Sequence, residues 1–409
     1  MLKFSWTKTT CLILLFGLHS CSKDKSEGLS LGHKANEIRA KKQTNTQQDT
    51  TRRKTTSPEI ALGNLDAKIL GQAKQVASKG IGLNAYAESL KSRMQFKGSY
   101  SDFDELFKTL KNLQDKDGKD FVQAKIAALM AIHRFDDANK LLGENSSIFG
   151  EGEKKNIELS LAAAKENISD LDFAIVQKKA KDHSNFQNRT RLAHAYALKK
   201  EFKKADKAYQ DALKNYRDVS PFPFAWAYFQ LGKMWAESAD DLEKGQHYYQ
   251  EAILYLPDYV VANVHLSEIE FEKGQVKQAI SRLERIKDKT EDPEPFSRLA
   301  QYYAGVDKAK SEIYKKQAKD GYEKWLAKYP LAFADHATEF YLGAGADPKR
   351  AFELAELNFN NRQTHRAAGL LAESAIGVER IKKACELVAT YTLSFGDDFK
   401  EALKGCPKG

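Results

Sequence analysis

The chain has 409 residues, with 9 Pro, 24 Gly, a charged fraction of 30% and a net charge of +9. Pro is therefore about 2% of the chain, against ~5% in average proteins, and none lies between Pro58 and Pro221. This scarcity argues against an all-β fold built on Gly/Pro turns and predicts a mostly helical protein. The sequence also contains no run of 18 apolar residues that could cross a membrane.

The positive charge is concentrated near the N-terminus. Residues 1–20 contribute +2 and residues 21–58 contribute +5, which leaves only +2 for the rest of the chain. A protein that binds nucleic acid needs a basic surface on its folded part. The nearly neutral body therefore argues against nucleic acid as a partner.

The first twenty residues have the pattern of an export signal. Lys3 and Lys8 precede a short apolar stretch at residues 11–18, which is the order of a signal peptide. The next residues, Leu-His-Ser followed by Cys21, resemble the cleavage site of a bacterial lipoprotein. The resemblance implies that residues 1–20 are removed and that Cys21 becomes the N-terminus, carrying acyl chains such as palmitate.

Lipidation of Cys21 would anchor the protein in the bacterial cell envelope. Two or three acyl chains hold a protein firmly on a membrane, whereas a single chain holds it only marginally. Ser22, and not Asp, follows the cysteine, which favours the outer membrane by the pattern of enterobacterial lipoproteins. The alternative is an ordinary secreted protein in which Cys21 carries no lipid.

Residues 21–58 predict a disordered tether after the lipidated cysteine. The segment contains almost no large apolar residues, and residues 43–51 are a polar, low-complexity tract. Such a segment cannot bury enough apolar area to offset the entropy lost on ordering. We expect it to separate the anchor from the folded body by an r.m.s. distance of roughly 30–35 Å.

Helical spacing begins at residue 59. Leu65, Ile69, Ala73 and Val76 recur at intervals that place them on one face of a helix. Residues 59–185 are therefore predicted to form a helical N-terminal region with degenerate repeats, one of them near Ala138.

An internal repeat occupies residues 186–395 and leaves 396–409 as a C-terminal tail. Each unit has a hydrophobic residue followed by a small one, and a second small residue at least twelve positions later. The first pairs are Leu192-Ala193, Leu231-Gly232, Leu266-Ser267, Leu299-Ala300 and Leu371-Ala372. The second small residues are Ala205, Gly245, Ala279, Ala318 and Ala384. Residues 348–355 look like the second helix of a further, degenerate unit.

These units resemble the tetratricopeptide repeat (TPR), a pair of antiparallel helices of about 34 residues. The resemblance implies an all-α, TPR-like helix-turn-helix solenoid wound as a right-handed superhelix, because each helix pair leaves a face that its neighbour must cover. Pro257 and Pro330 are predicted to end second helices, since Pro cannot continue a helix. A six-residue insertion in the fourth unit predicts longer helices there.

Cys385 and Cys406 are the two cysteines left with a free thiol if Cys11 is removed with the signal and Cys21 is lipidated. An even pair in an exported chain predicts a disulfide. Two free thiols or a metal-binding pair are the alternatives.

The sequence contains none of the common motifs of hydrolases, metalloproteases or nucleotide-binding proteins. Gly343-Ala-Gly345 is interpreted as a turn, and so are residues 115–120, which lack the ligand spacing of a calcium loop. We therefore expect a protein that is not an enzyme and that has no metal and no cofactor.

The TPR resemblance also implies a concave peptide groove formed by the first helix of each unit. Trp226 and Phe229 are its expected anchors, because aromatic residues are favoured at interfaces; the alternative is that both pack against residues 220–224. The wall lacks the Lys/Arg and Asn pattern of TPR proteins that clamp C-terminal carboxylates. The implied groove residues are Gln187, Thr190, His194, Trp226, Phe229, Lys233, Val261, Val264 and Glu268.

The sequence thus favours a membrane-anchored, non-catalytic TPR scaffold that binds an envelope protein or peptide. One alternative is a glycan- or solute-binding surface lipoprotein, which the aromatic content of 11% permits. A second alternative is an enzyme whose site lies within residues 59–180, where the repeats are weakest.

Overall fold

The computed structural model describes residues 53–113, 118–393, 403–404 and 406. The predicted signal, Cys21, the tether up to residue 52, the turn at residues 115–117 and most of the predicted tail lie outside the described residues. Within these ranges every regular element is a helix, so the all-α prediction is confirmed. No helix in this part of the chain has the length and apolar character needed to cross a bilayer.

Seven α-helices among the described residues form the N-terminal region. The first begins at a proline, and the side chain of Ser57 caps it by accepting a hydrogen bond from the backbone N–H of Ile60. The helices are α1 (Pro58–Lys79), α2 (Leu83–Lys97), α3 (Ser101–Asn112), α4 (Lys119–Ala131), α5 (Phe135–Glu144), α6 (Glu151–Ala164) and α7 (Asp170–Asp182).

Twelve further helices in the described range form six consecutive pairs, in which each second helix also contacts the first helix of the next pair. Aspartates at residues 241, 307 and 347 cap three of the second helices through the N–H three residues ahead. The pairs are α8 (Phe186–Leu198) with α9 (Phe202–Asn215), α10 (Phe222–Lys233) with α11 (Leu242–Tyr255), α12 (Val260–Glu272) with α13 (Val276–Ile286), α14 (Glu294–Tyr303) with α15 (Lys308–Leu326), α16 (Pro330–Leu342) with α17 (Pro348–Asn361), and α18 (His365–Gly377) with α19 (Ile381–Tyr391).

Small residues at the helix crossings explain this regular pairing. Gly232 on α10 shows the constraint, because a Cβ placed there would lie 2.4 Å from the Tyr249 ring on α11. All the small residues at the two repeat positions are buried: Ala193, Gly232, Ser267, Ala300, Thr338 and Ala372 on first helices, and Ala205, Gly245, Ala279, Ala318, Ala351 and Ala384 on second helices. The array is therefore a TPR-like solenoid of stacked helix pairs.

The fourth and fifth pairs correct one prediction and locate the insertion expected by another. Pro330 does not end a second helix: α15 ends at Leu326, and Pro330 is the first residue of α16, where its missing N–H costs nothing. The predicted insertion lies in α15, which has 19 residues where the other second helices have 11 to 14.

The N-terminal region packs against the fourth and fifth pairs, far away in sequence. The backbone N–H of Glu291 donates to the carbonyl of Gly98 at 3.0 Å, and the Tyr100 hydroxyl donates to Asp292 Oδ2 at 2.9 Å. Tyr100 also contacts the ring of Phe333, with 4.9 Å between centroids. Residues of α1–α5 and of α15–α17 consequently share one hydrophobic core.

At the other end of the array, Cys385 of α19 is joined to Cys406 by a disulfide. The bond connects α19 to a residue 21 positions further along the chain.

Candidate functional site

A cavity of about 360 Å³ lies on the first-helix side of the array. Most of its lining comes from α8, α10, α12, α14, α16 and α18 and from the turns that follow them. Its charged and histidine side chains are Glu166, Lys200, Lys233, Glu237, His265, Glu268, Glu272, Glu294, Arg298, Glu339, His365 and Arg366. Six carboxylates and four Lys/Arg side chains therefore meet around one space.

Arg298, on α14, is the centre of an ion-pair network in this cavity. Its Nη2 lies 2.6 Å from Glu268 Oε1, 3.2 Å from Glu294 Oε1 and 2.9 Å from Glu339 Oε2. These carboxylates belong to α12, α14 and α16, so one guanidinium connects three consecutive pairs. The Arg298 side chain is only 15% exposed, and a charge so far from water needs partners of this kind.

A second set of ion pairs lies beside Arg298. Arg366 pairs with Glu339, and His336 Nδ1 lies 3.3 Å from Glu294 Oε1. Burial alone would lower the pKa of His336, but the carboxylates of Glu294 and Asp335 outweigh it and raise that pKa to about 10. His336 is therefore a cation at neutral pH.

Glu294, His336 and Glu339 bring ligand atoms within 4.8 Å of one another, which is close enough to hold a metal ion. Arg298 Nη2 contacts both carboxylates, however, and its fixed charge opposes a second cation at the same oxygens. A metal would also require the neutral form of His336. The geometry therefore supports an ion-pair network here and not a metal centre.

Glu237, Glu268 and Glu272 form what we call the acidic end of the cavity. His265 Nδ1 lies 3.0 Å from Glu268 Oε2 and 3.5 Å from Glu237 Oε1. Burial would lower the pKa of His265, but the two carboxylates outweigh it and raise the pKa. Glu272 has no hydrogen bond or ion pair with the described residues, and burial together with the charge of Glu268 raises its pKa to about 7.

Tyr249 belongs to the wall of the acidic end. Its side chain is 1% exposed, and its hydroxyl has no hydrogen-bond partner among the described residues. Its ring stacks on the imidazole of His265 at 5.5 Å between centroids. Glu237 Oε1 is a second buried oxygen without a hydrogen bond. Because buried polar atoms are nearly always hydrogen-bonded, these two oxygens mark where a hydrogen-bonding group of a ligand fits.

The structure brings two of the nine predicted groove residues, Lys233 and Glu268, into the cavity lining. The other seven lie elsewhere. Val264 is fully buried in a core cluster with residues of α13 and α14, so its groove assignment is wrong: its position faces neighbouring helices. Thr190 is also buried, and its hydroxyl donates to the carbonyl of Gln187, while Gln187 itself is exposed. His194 and Val261 are half-buried outside the lining.

The two predicted aromatic anchors pack against other rings. Trp226 is half-buried, and its ring centroid lies 6.3 Å from those of Phe186 and Tyr209. Phe229 is 8% exposed and contacts the rings of Tyr249, Tyr259 and His265. None of these ring contacts involves residues 220–224, the segment expected as the alternative packing partner of both side chains. Neither residue lines the cavity.

Sequence reasoning missed the central charges, Arg298, Glu294 and Glu339. One signal in the sequence points to them: Glu294 and Arg298 are one helical turn apart on a first helix, and so are Glu268 and Glu272. Charged residues on the side of the first helices that forms the concave wall indicate that the cavity is polar.

No protein-family model matches the chain. The uncharacterized protein ycf37 of Cyanophora paradoxa is 29% identical over 121 residues, which are 29% of this chain and 66% of that protein, just under two thirds of its length. Solved structures that resemble the chain include the APC/C hetero-tetramer Cut9–Hcn1, with a TM-score of 0.43, 12% identity and coverage of 91% of this chain and 78% of that one. They also include the human IFIT1 dimer with PPP-AAAA, with a TM-score of 0.42, 13% identity and coverage of 86% of each chain.

Proposed function

We propose that this chain is a non-catalytic scaffold of the bacterial cell envelope that binds a segment of a partner protein in the cavity on its first-helix side. The observation that carries the proposal is the cavity wall. First helices of successive pairs supply it, and it contains buried oxygens that have no hydrogen-bond partner among the described residues. Stacked repeats create extended binding surfaces of this kind, so the wall suits a chain segment that runs across several units.

The ion pairs of the cavity support binding and not chemistry. Arg298 and Arg366 are held by carboxylates from neighbouring helices, so their charges fix the wall and connect the pairs. A wall held in place in this way loses little conformational freedom when a partner binds, which favours affinity.

A photocrosslinking experiment tests the proposed binding. A benzophenone amino acid is placed at Lys233 or Gln301, both in the cavity lining, or at Glu312, an exposed residue of α15. In envelope preparations we expect the two cavity positions to crosslink to the same segment of one protein, identified by mass spectrometry, and the Glu312 control to give no such product. Crosslinks that are the same at all three positions, or absent at both cavity positions, would contradict the proposal.

The anchor proposed at Cys21 has a separate test. The lipid would fix the location of the scaffold, and the tether would give it reach. Cells expressing the full chain are labelled with an alkyne analogue of palmitate and fractionated. We expect label and membrane association in the unmodified protein and in the Cys11→Ser control, and neither in Cys21→Ser; a labelled Cys21→Ser variant would refute lipidation at this residue.

A further inference from the structure

We propose that the acidic end of the cavity binds the cationic side chain, lysine or arginine, of the partner segment. The inference rests on the proposed function, because it names the chemistry of the group that the scaffold would hold. It is carried by three features of the structure: carboxylates whose cations are shared, two buried oxygens without a hydrogen-bond partner among the described residues, and an apolar wall beside them.

The cations near the acidic end are shared with other carboxylates of the cavity. Glu268 is shared between His265 and Arg298, while Arg298 also contacts Glu294 and Glu339. Glu237 lies 3.5 Å from His265 Nδ1 and also feels the charge of Arg366, which is paired with Glu339, and Glu272 has no ion-pair partner among the described residues. The raised pKa of Glu272 has the same origin, since burial and the charge of Glu268 disfavour its ionised form.

Both unpartnered oxygens can accept a hydrogen bond from a donor on the ligand. Glu237 Oε1 can only accept a hydrogen bond when it is ionised, and the Tyr249 hydroxyl can accept one as well. Tyr249 cannot turn away easily, because its ring lies between the His265 imidazole and the backbone at Gly232. An ammonium or guanidinium group supplies donors and charge together, and hydrogen bonds to ionised groups are the stronger kind.

The neighbouring wall suits the aliphatic part of such a side chain. Phe271 and Tyr302 line the cavity and stack on each other with 4.3 Å between centroids. Long basic side chains bury their methylene groups on surfaces of this type while the charged head meets a polar site.

The extent of the cavity favours a peptide over a free amine. Its lining runs from α8 to α18, over all six pairs, whereas the acidic end involves only α10, α11 and α12 with their turns. The rest of the wall therefore remains available to the backbone and neighbouring residues of an extended segment.

A peptide selection tests the proposal on the full chain. A random-peptide phage library is selected on the purified protein, and the affinity of the best peptide is measured by isothermal titration. We expect a Lys or Arg at one fixed position, and we expect replacement of that residue by norleucine to weaken binding about tenfold, the size of one hydrogen bond to a charged group. In the double variant Glu237→Gln, Glu272→Gln the same replacement should have little effect, while the control Glu312→Gln should behave like the unmodified protein.

Three results would overturn the proposal: selected peptides without a basic position, a norleucine peptide that binds as well as the parent, or a basic preference that survives in the double variant. Nα-acetyl-lysine amide binding as tightly as the peptide would also overturn it and indicate a site for small amines. Thermal unfolding of each variant shows that it is folded. These failures would leave the crosslinking result unaffected, so they can be distinguished from failure of the proposed function.

Discussion

The Tyr249 ring fills the space that a side chain at residue 232 would need, with Cδ1 only 2.4 Å from the position of a Cβ on Gly232. The same ring stacks on His265 of the next pair, so it has little room to move. We therefore expect Gly232→Ala to lower the free energy of unfolding by about 1–3 kcal/mol, the usual cost of overpacking a core. Urea-induced unfolding followed by circular dichroism measures the change.

Gly71 provides the matched control for this substitution. It lies inside α1, and a Cβ there would meet nothing within 4 Å. Gly71→Ala should leave stability unchanged or raise it by up to ~1 kcal/mol, because alanine is the better helix former. Equal effects of the two substitutions would contradict the packing argument.

Removal of Arg298 should destabilise the protein strongly. Arg298→Met leaves Glu268, Glu294 and Glu339 without their shared cation, and breaking a buried ion pair in this way costs about 3–5 kcal/mol. The loss should shrink as the pH is lowered from 7 towards 5, since protonation removes the uncompensated charges. Urea midpoints at several pH values test this expectation.

Lys316 serves as a control for Arg298. It is 77% exposed and pairs with Asp320 on the same helix, so Lys316→Met should change stability by less than ~1 kcal/mol. A comparable loss of unfolding free energy in both variants would show that the buried ion pairs of Arg298 contribute no more than an exposed pair.

His336 should give a pH-dependent contribution to stability. Its folded-state pKa is about 10 because Glu294 and Asp335 outweigh the effect of burial, whereas its ordinary value is 6.5. A raised pKa means that the stabilisation is fully present below pH 6.5 and is lost as the pH rises through about 10. The stability difference between the unmodified protein and His336→Gln should therefore decline over this interval. A difference that stays constant with pH would refute the assignment of His336 as a cation.

The disulfide between Cys385 and Cys406 should stabilise the last pair. It connects residues 21 positions apart, and a loop of this length contributes on the order of 3 kcal/mol. We expect a reductant to lower the thermal unfolding midpoint of the unmodified protein and to have no effect on the Cys385→Ser, Cys406→Ser double variant. An unchanged midpoint in the unmodified protein would show that the bond contributes nothing to stability.

The helical array was predictable because its constraints are local in sequence. Small residues at two positions per unit, such as Ala193 and Ala205, identify the crossing of each helix pair. The first helix of the fifth unit was not identified because Thr338 occupies the small position there. The hydroxyl of Thr338 donates a hydrogen bond to the carbonyl of Ala334, so the polar side chain has a partner although it is fully buried.

The cavity was only partly predictable, because its charges come together through stacking. Glu268, Arg298 and Glu339 lie on three different first helices, and their sequence spacings say nothing about a common contact. Two of the groove positions implied by the repeat resemblance, Lys233 and Glu268, lie in the cavity wall. The resemblance fails for Val264, whose position is covered by neighbouring helices.

Packing of the N-terminal helices on the fourth and fifth pairs has a consequence for the order of folding. In an array held only by neighbouring repeats, each unit can fold as soon as the next one exists. Here the carbonyl of Gly98 accepts a hydrogen bond from the N–H of Glu291, and the carbonyl of His133 accepts one from the side chain of Asn361. Neither bond can form before the later residue has been made. The residues made first therefore complete their core among the last, because their partners lie 192 to 228 positions further along the chain, and their apolar faces stay exposed until those partners are present.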